Sequence, residues 1–151
     1  MQTRRKTLQH SATVAALLAA TGMFPGMALA FNAKAFEAKN VADALKAIGA
    51  GAPQESKDVT ITGPDIAENG AVVPLGASTS LAGVKQLLIL VEKNPNALAA
   101  IFNITDSVEA NMTTRAKMGQ TSDVYAVAIM GDGKALFAKK EVKVTLGGCG
   151  G

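Results

Sequence analysis

The only thiol in the 151-residue chain is Cys149, set in the closing stretch VTLGGCGG with two glycines on each side. Thiol catalysis needs a base within hydrogen-bond reach. The only histidine, His10, lies at the other end of the chain. A free cysteine titrates near 8.5, so only a few per cent is thiolate at neutral pH. The nearest charge in sequence is the carboxylate of Gly151, a like charge to the thiolate, so nothing beside the thiol in sequence would lower its pKa. There is no cluster of soft metal ligands and no tryptophan. The pattern therefore points to a passive thiol, activated inside the sites of other proteins.

The glycines fit that role. Four of them around one residue leave wide φ/ψ freedom and little reason for a fixed structure. An extended chain advances at most ~3.6 Å per residue, so Cys149 reaches about 10 Å beyond Leu146. Without side-chain bulk, Gly147, Gly148, Gly150 and Gly151 make a slim arm able to enter a narrow channel. Other readings of the lone cysteine are a small buried hydrophobe, a frayed end and an intermolecular disulfide. Burial is not expected among glycines, and an exposed thiol is a liability in an oxidising compartment.

Residues 1–30 place the chain in such a compartment. Arg4, Arg5 and Lys6 form a basic n-region, an uncharged stretch follows from Ser11, and Ala28-Leu29-Ala30 is an A-x-A cleavage site. These are the parts of a cleaved secretory signal. Thr21, Gly22, Pro25 and Gly26 interrupt the apolar stretch, and no stop-transfer flank follows, so a permanent membrane span is not expected. Thr3-Arg4-Arg5-Lys6-Thr7-Leu8 resembles the twin-arginine export motif, with Thr7 where that motif usually has Phe. That pathway carries folded proteins.

Cleavage after Ala30 removes three of the 15 basic residues, none of the 12 acidic ones, and His10. The mature chain is then neutral, and the electrostatic footprint of a nucleic-acid binder is gone.

The arm needs an anchor, and the rest of the chain supplies one. Asn40 is an N-cap for a helix over Val41–Ile48, with Val41, Ala44, Leu45 and Ile48 on one face and Gly49 as the stop. Phe31, Ala35 and Phe36 suggest a preceding helical turn, the pair packing on the body or on a partner. Short strands follow: Asp58–Thr62, Ala71–Leu75 closed by Gly76, Val84–Val91, Leu98–Ile104, Met112–Met118 and Asp123–Met130. Gly131-Asp132-Gly133 marks a hairpin to Lys134–Phe137, and Glu141–Leu146 alternates. Val84–Val91 and Asp123–Met130 are apolar on both faces, suggesting more apolar surface than one small sandwich needs.

Seven or eight short strands argue a mainly β fold, an immunoglobulin-like β-sandwich with a short N-terminal helical region and a flexible Gly-rich tail. The expected organisation is signal 1–30, sandwich domain 31–146 and arm 147–151.

At this point the tail becomes specific. GGCGG after a VKVT strand, in an exported domain, resembles the SoxY sulfur-carrier family of thiosulfate oxidation. NVADALKAIGA, VEKNP, RAKMGQTSDVYAVA and KKEVKVTLGGCGG resemble it too, so the similarity covers nearly the whole mature chain. The resemblance implies an immunoglobulin-like sandwich paired in a heterodimer with a second sandwich subunit, SoxZ, in the periplasm. It further implies that Cys149 carries covalent sulfur groups derived from thiosulfate. A haem-containing enzyme loads them, a hydrolase releases sulfate, and a sulfur dehydrogenase oxidises the remaining sulfur. The chain itself is expected to be no enzyme, with no catalytic residue, metal or cofactor, no nucleic-acid partner, and no membrane after processing.

Two other classes compete. A ubiquitin-like sulfur donor also ends in Gly-Gly but holds sulfur as a terminal thiocarboxylate. A structural or adhesive sandwich would carry an incidental thiol. Arg115 and Lys117 could hold an anionic sulfur group or a partner; the plain alternative is the solvated face of an edge strand. Asp106, Glu109 and Asp123 are too scattered for a metal site. Asn103-Ile104-Thr105 and Asn111-Met112-Thr113 match the glycosylation sequon, a short pattern to which no function attaches.

Overall fold

The computed structural model describes residues 32–145. Two short helices open it, α1 (Ala33–Glu37) and α2 (Val41–Ile48). Asn32 caps α1 by accepting from the Ala35 N–H at 3.1 Å, and donates from Nδ2 to the Ala47 carbonyl at 2.9 Å, tying the two helices together. Asn40 caps α2 as expected, accepting from the Asp43 N–H at 2.8 Å. Gly49, at φ 81°, ends the helix in the left-handed region, where its N–H returns to the Lys46 carbonyl.

Nine strands follow: β1 (Pro53–Glu55), β2 (Val59–Thr62), β3 (Ile66–Ala67), β4 (Val73–Thr79), β5 (Val84–Val91), β6 (Leu98–Asn103), β7 (Asn111–Ala116), β8 (Ser122–Met130) and β9 (Ala135–Val144). One sheet has the order β1-β9-β8-β5-β6, with β3 also pairing β9; the other is β2-β4-β7. The chain is mainly β, an immunoglobulin-like sandwich with a helical region before it. No helix among the described residues is long and apolar enough to cross a membrane.

The core between the sheets is filled from both sides. Val73, Leu75 and Ala77 of β4 meet Leu87, Ile89 and Val91 of β5, Val124, Ala126 and Ala128 of β8, and Val142 of β9. The opposite faces of β5 and β8 carry Leu88, Leu90, Val127 and Ile129, and these form a second buried cluster with Ala35, Ala44 and Leu45. The two strands that are apolar on both faces are therefore covered on both faces by this chain alone. Their composition is no sign of surplus surface waiting for a partner, and the helical region packs on the body.

Most expected strand ends shift by one or two residues, Met112–Met118 for example becoming Asn111–Ala116, and three departures are larger. β4 runs through Gly76 rather than stopping there, because Gly76 lies opposite Thr62 and Thr113 in the small sheet. A Cβ at Gly76 would collide with the Thr62 hydroxyl, so this glycine admits a close strand approach rather than a turn. The stretches 134–137 and 141–146 belong to one strand: β9 is continuous from Ala135 to Val144 because β8 pairs with it from Ser122 to Ile129 without a break. β1 and β3 have no alternation to read; each is a short parallel addition to the free edge of β9. The Gly131–Gly133 hairpin forms as expected, with Gly133 at φ 84°.

Candidate functional site

The site of interest is the end of the sandwich from which the tail continues. Cys149, Gly147, Gly148, Gly150 and Gly151 lie outside the described residues, as do Arg4, Arg5, Ala28 and Ala30. What the structure describes is the strand that leads to the tail, up to Thr145.

β9 is held tightly as it approaches that end. Val142 is buried in the inter-sheet core. The Lys143 N–H donates to the Asp65 carbonyl at 3.0 Å, and the Thr145 N–H to the Ala67 carbonyl at 3.1 Å. The intervening Val144 N–H turns the other way and donates to Thr121 Oγ1 at 3.0 Å. These bonds alternate in direction because successive amides of a strand face opposite edges. The last two residues of β9 and the residue after it are thus bound on both sides.

A side chain adds a clamp. Lys140 Nζ sits 2.7 Å from Asp65 Oδ1 and donates to the Gly63 carbonyl at 2.7 Å, so the segment after β2 is drawn onto β9. The hydrogen bond from Lys140, reinforced by its charge, holds the Asp65 carboxyl below the ordinary carboxylate range. Asp65 is open to solvent, where such pairs contribute little stability. The clamp orients the segment.

The neighbouring connections are cross-braced. Met118 is fully buried, and its N–H donates to the Gly70 carbonyl at 2.7 Å. Asn94 Nδ2 donates to the Lys117 carbonyl at 2.7 Å. Ser122, the one buried polar side chain among the described residues, accepts from the Lys93 N–H at 3.0 Å and donates to the Asp123 carbonyl at 2.9 Å. The β2–β4, β5–β6 and β7–β8 connections therefore form one braced platform around the end of β9.

The other residues singled out from sequence do not converge here. Lys117 belongs to the platform through its carbonyl, and its side chain is exposed; Arg115 is exposed on β7 opposite Pro74. Asp106 and Glu109 line a broad cleft of about 840 Å³ with Asp58 and Lys57. That cleft also takes in Val84, and β8 reaches Val84 at Met130, the opposite end from Ser122. Asp123 pairs with Lys139 at 3.3 Å. Among the described residues no three His, Cys, Asp or Glu side chains are grouped to hold a metal. Sequence reasoning missed Lys140, Asp65 and Thr121 as anchors. Lys140 and Gly63 are 77 residues apart, and nothing in the local pattern joins them.

The comparisons agree on one relationship. A family model described as sulfur oxidation protein SoxY matches residues 44–149. The sulfur carrier protein SoxY from Chlorobium limicola f thiosulfatophilum is similar in structure, with TM-score 0.64 and 34% identity, over 71% of this chain and 97% of that one. A superoxide reductase (neelaredoxin) variant from Ignicoccus hospitalis shares the fold alone, at TM-score 0.51 and 14% identity, over 57% of this chain and 78% of that one. No curated protein matches the chain. With that family model spanning most of the sandwich and running on to the tail cysteine, the chain belongs to the SoxY family of sulfur oxidation proteins.

Proposed function

We propose that the chain is a covalent sulfur carrier of thiosulfate oxidation, exported to the periplasm and holding its cargo on Cys149. One observation carries the reading. The GGCGG tail begins two residues after Thr145, where the end of β9 is braced on both sides, in a chain of the SoxY family. A firm base and a glycine arm with a single thiol divide the labour between anchoring and reach.

The chemistry balances with the chain as carrier and other proteins as catalysts. Loading joins the Cys149 thiol to the outer sulfur of thiosulfate: a sulfur–sulfur bond forms, the thiol proton leaves, and two electrons pass to a haem-containing enzyme. The product is a cysteine S-thiosulfonate. Hydrolysis then breaks the sulfur–sulfonate bond, water supplies the fourth oxygen of sulfate, and a persulfide remains on Cys149. A sulfur dehydrogenase oxidises that outer sulfur before a final hydrolysis. The mature chain has no histidine to serve as the thiol's base, in keeping with activation inside partner sites. A second sandwich subunit of the SoxZ kind is the proposed heterodimer partner; this rests on the family, since the apolar faces of β5 and β8 are covered internally.

Intact mass of the protein incubated with thiosulfate and the loading enzyme tests the reading. An S-thiosulfonate increment should appear, vanish with thiol reductant, and be absent from Cys149→Ser. Serine keeps the size but cannot form a sulfur–sulfur bond. Melting temperature should be unchanged in this variant. A reductant-resistant adduct on the terminal carboxylate would instead favour the thiocarboxylate donor, and turnover by Cys149→Ser would end the carrier reading.

A further inference from the structure

β6 is the last strand of the large sheet, and among the described residues it pairs only with β5. A strand in that place leaves every second backbone N–H and C=O outside the ladder, a template for another strand. Such edges are ordinarily blunted by shortness, charge or proline. The far edge of the same sheet is blunted: β1 has three residues and opens on Pro53. In the small sheet β2 has four residues, and β7 carries Arg115. β6, with the sequence LAAIFN, has six residues and neither charge nor proline.

The register fixes which part of this edge is open. The Ala97 N–H donates to the Ala38 carbonyl at 2.9 Å, so the chain between α1 and α2 closes the approach to the strand. Ala100 lies opposite Ile89 while Leu98 lies opposite Leu90, which makes Ala99 an extra residue, a bulge. Beyond it the ladder is regular. The Ile104 N–H donates inward to the Lys85 carbonyl at 2.8 Å, and the peptide groups of an antiparallel strand alternate in direction. Phe102 and Ala100 therefore also bond toward β5, and the N–H and C=O of Ile101 and Asn103 face outward. Both apolar layers run out at the same place. Ala100 and Phe102 are partly buried on the core between the sheets, and Ile101 is partly buried on the cluster beneath the helices.

We propose that a second copy of this chain lays its β6 antiparallel against this edge, about a two-fold axis through Phe102. In that register Ile101 of each copy stands opposite Asn103 of the other, and every outward N–H and C=O of these residues meets its complement. The two Phe102 side chains then lie directly opposite, with Cβ atoms about 5 Å apart. Ala100 and Ile104, which border Phe102 on the same face, carry the inter-sheet core across the joint. A two-fold dimer uses one patch twice, and this edge is its own complement. No charge opposes the contact: the strand has none, and the chain expected after cleavage at Ala30 is neutral. The arms stay clear of it. Leu98 lies beside Leu90, Val91 beside Val124 and Ser122 beside Val142, so β6 starts at the arm's end of the sandwich. Antiparallel pairing inverts the second copy, and the two arms leave from opposite ends. The second sandwich subunit proposed above takes another surface.

The test uses the full mature chain carrying Cys149→Ser, which removes any disulfide dimer formed through the arm. A contact of one short strand belongs to the small, reversible class, so sedimentation over a range centred on about 100 μM should show monomer and dimer in exchange. Asn103→Pro deletes an outward N–H and no bond to β5. It should raise the dissociation constant about tenfold or more and leave the melting temperature within about 3 °C of the parent. Phe102→Cys should join two copies by a disulfide on mild oxidation, because directly opposite residues of that kind lie within disulfide reach. Where either variant folds poorly, hydrogen exchange of the parent chain decides: protection of the Ile101 and Asn103 amides should rise with protein concentration. A chain that stays monomeric, association untouched by a folded Asn103→Pro variant, or exchange at these two amides independent of concentration overturns the proposal. Failure of Asn103→Pro to bind the second sandwich subunit gives the edge to that subunit and overturns it as well.

Discussion

Leu45→Ala separates a helix that belongs to the sandwich from one that belongs to a partner. Leu45 is 2% exposed and packs in the cluster with Leu88, Leu90, Val127 and Ile129 on the outer face of the large sheet. Truncation removes three carbons from that cluster, a transfer loss of about 2.4 kcal/mol at ~0.8 kcal/mol per carbon. A cavity contribution adds to this when the void stays closed. Here Leu45 also lines an open groove of about 370 Å³ with Val41, Pro53, Tyr125 and Phe137. The void can therefore merge with the groove and fill with water, which keeps the total near the lower end of the Leu→Ala range, about 3 kcal/mol. For a domain of this size that corresponds to a fall in melting temperature of roughly 10 °C. Thermal unfolding of the isolated chain, followed by circular dichroism, measures it. Labelling of Cys149 at room temperature should be unaltered, because the cluster and the arm base lie on different parts of the sandwich. A loss below about 3 °C in the isolated chain would refute the docking of α2 on its own sheet. Failure of the same variant to bind its second subunit would then assign the α2 face to that partner.

Replacing Gly147 and Gly148 with valine should leave thiol content and small-reagent labelling intact while turnover falls, since a bulkier, stiffer arm enters channels poorly; full turnover would retire the slim-arm argument. Arg4→Lys/Arg5→Lys should hold the precursor in the cytoplasm if export follows the twin-arginine route, and amino-terminal sequencing of the exported wild type should begin at Phe31. Tyr125 is the sole tyrosine in a chain without tryptophan, so ultraviolet titration reads it directly. Burial, with a contribution from the Glu92 charge, pushes its hydroxyl above the ordinary value of about 10. Its neutral form is thus the one the fold favours: the stabilisation is complete below the unfolded pKa and lost as pH rises through the folded one. Phe137, whose ring centroid is 5.7 Å from that of Tyr125, shields it, and Phe137→Ala should lower the titration midpoint.

Local pattern was enough for much of this molecule. The Asn40 cap, the α2 face, the Gly49 stop, the limits of β5 and the hairpin at Gly131–Gly133 all follow from interactions within a few residues, and the structure has them where the sequence puts them. The family and the sandwich were legible for the same reason: alternating strands, turn residues and an uncommon tail are all written locally. The chemistry proposed for Cys149 is also a matter of sequence, since it depends on which residues surround one thiol and which residue types are missing.

Tertiary structure decided what those elements do for each other. Two strands apolar on both faces read equally as surplus surface or as a doubly covered sheet, and only the seating of Leu45 against Leu88 and Val127 chooses between them. Gly76 looks like a turn until Thr62 is brought beside it from another strand. The bracing of the arm base is further still from sequence. Lys140 reaches Gly63 and Asp65, Thr121 takes the Val144 amide, and Ile66 comes up beside Lys143, all through contacts between residues more than 20 positions apart. Such pairings carry no periodicity, because each depends on where the chain returns after a loop, and that is set by the packing of the whole sandwich.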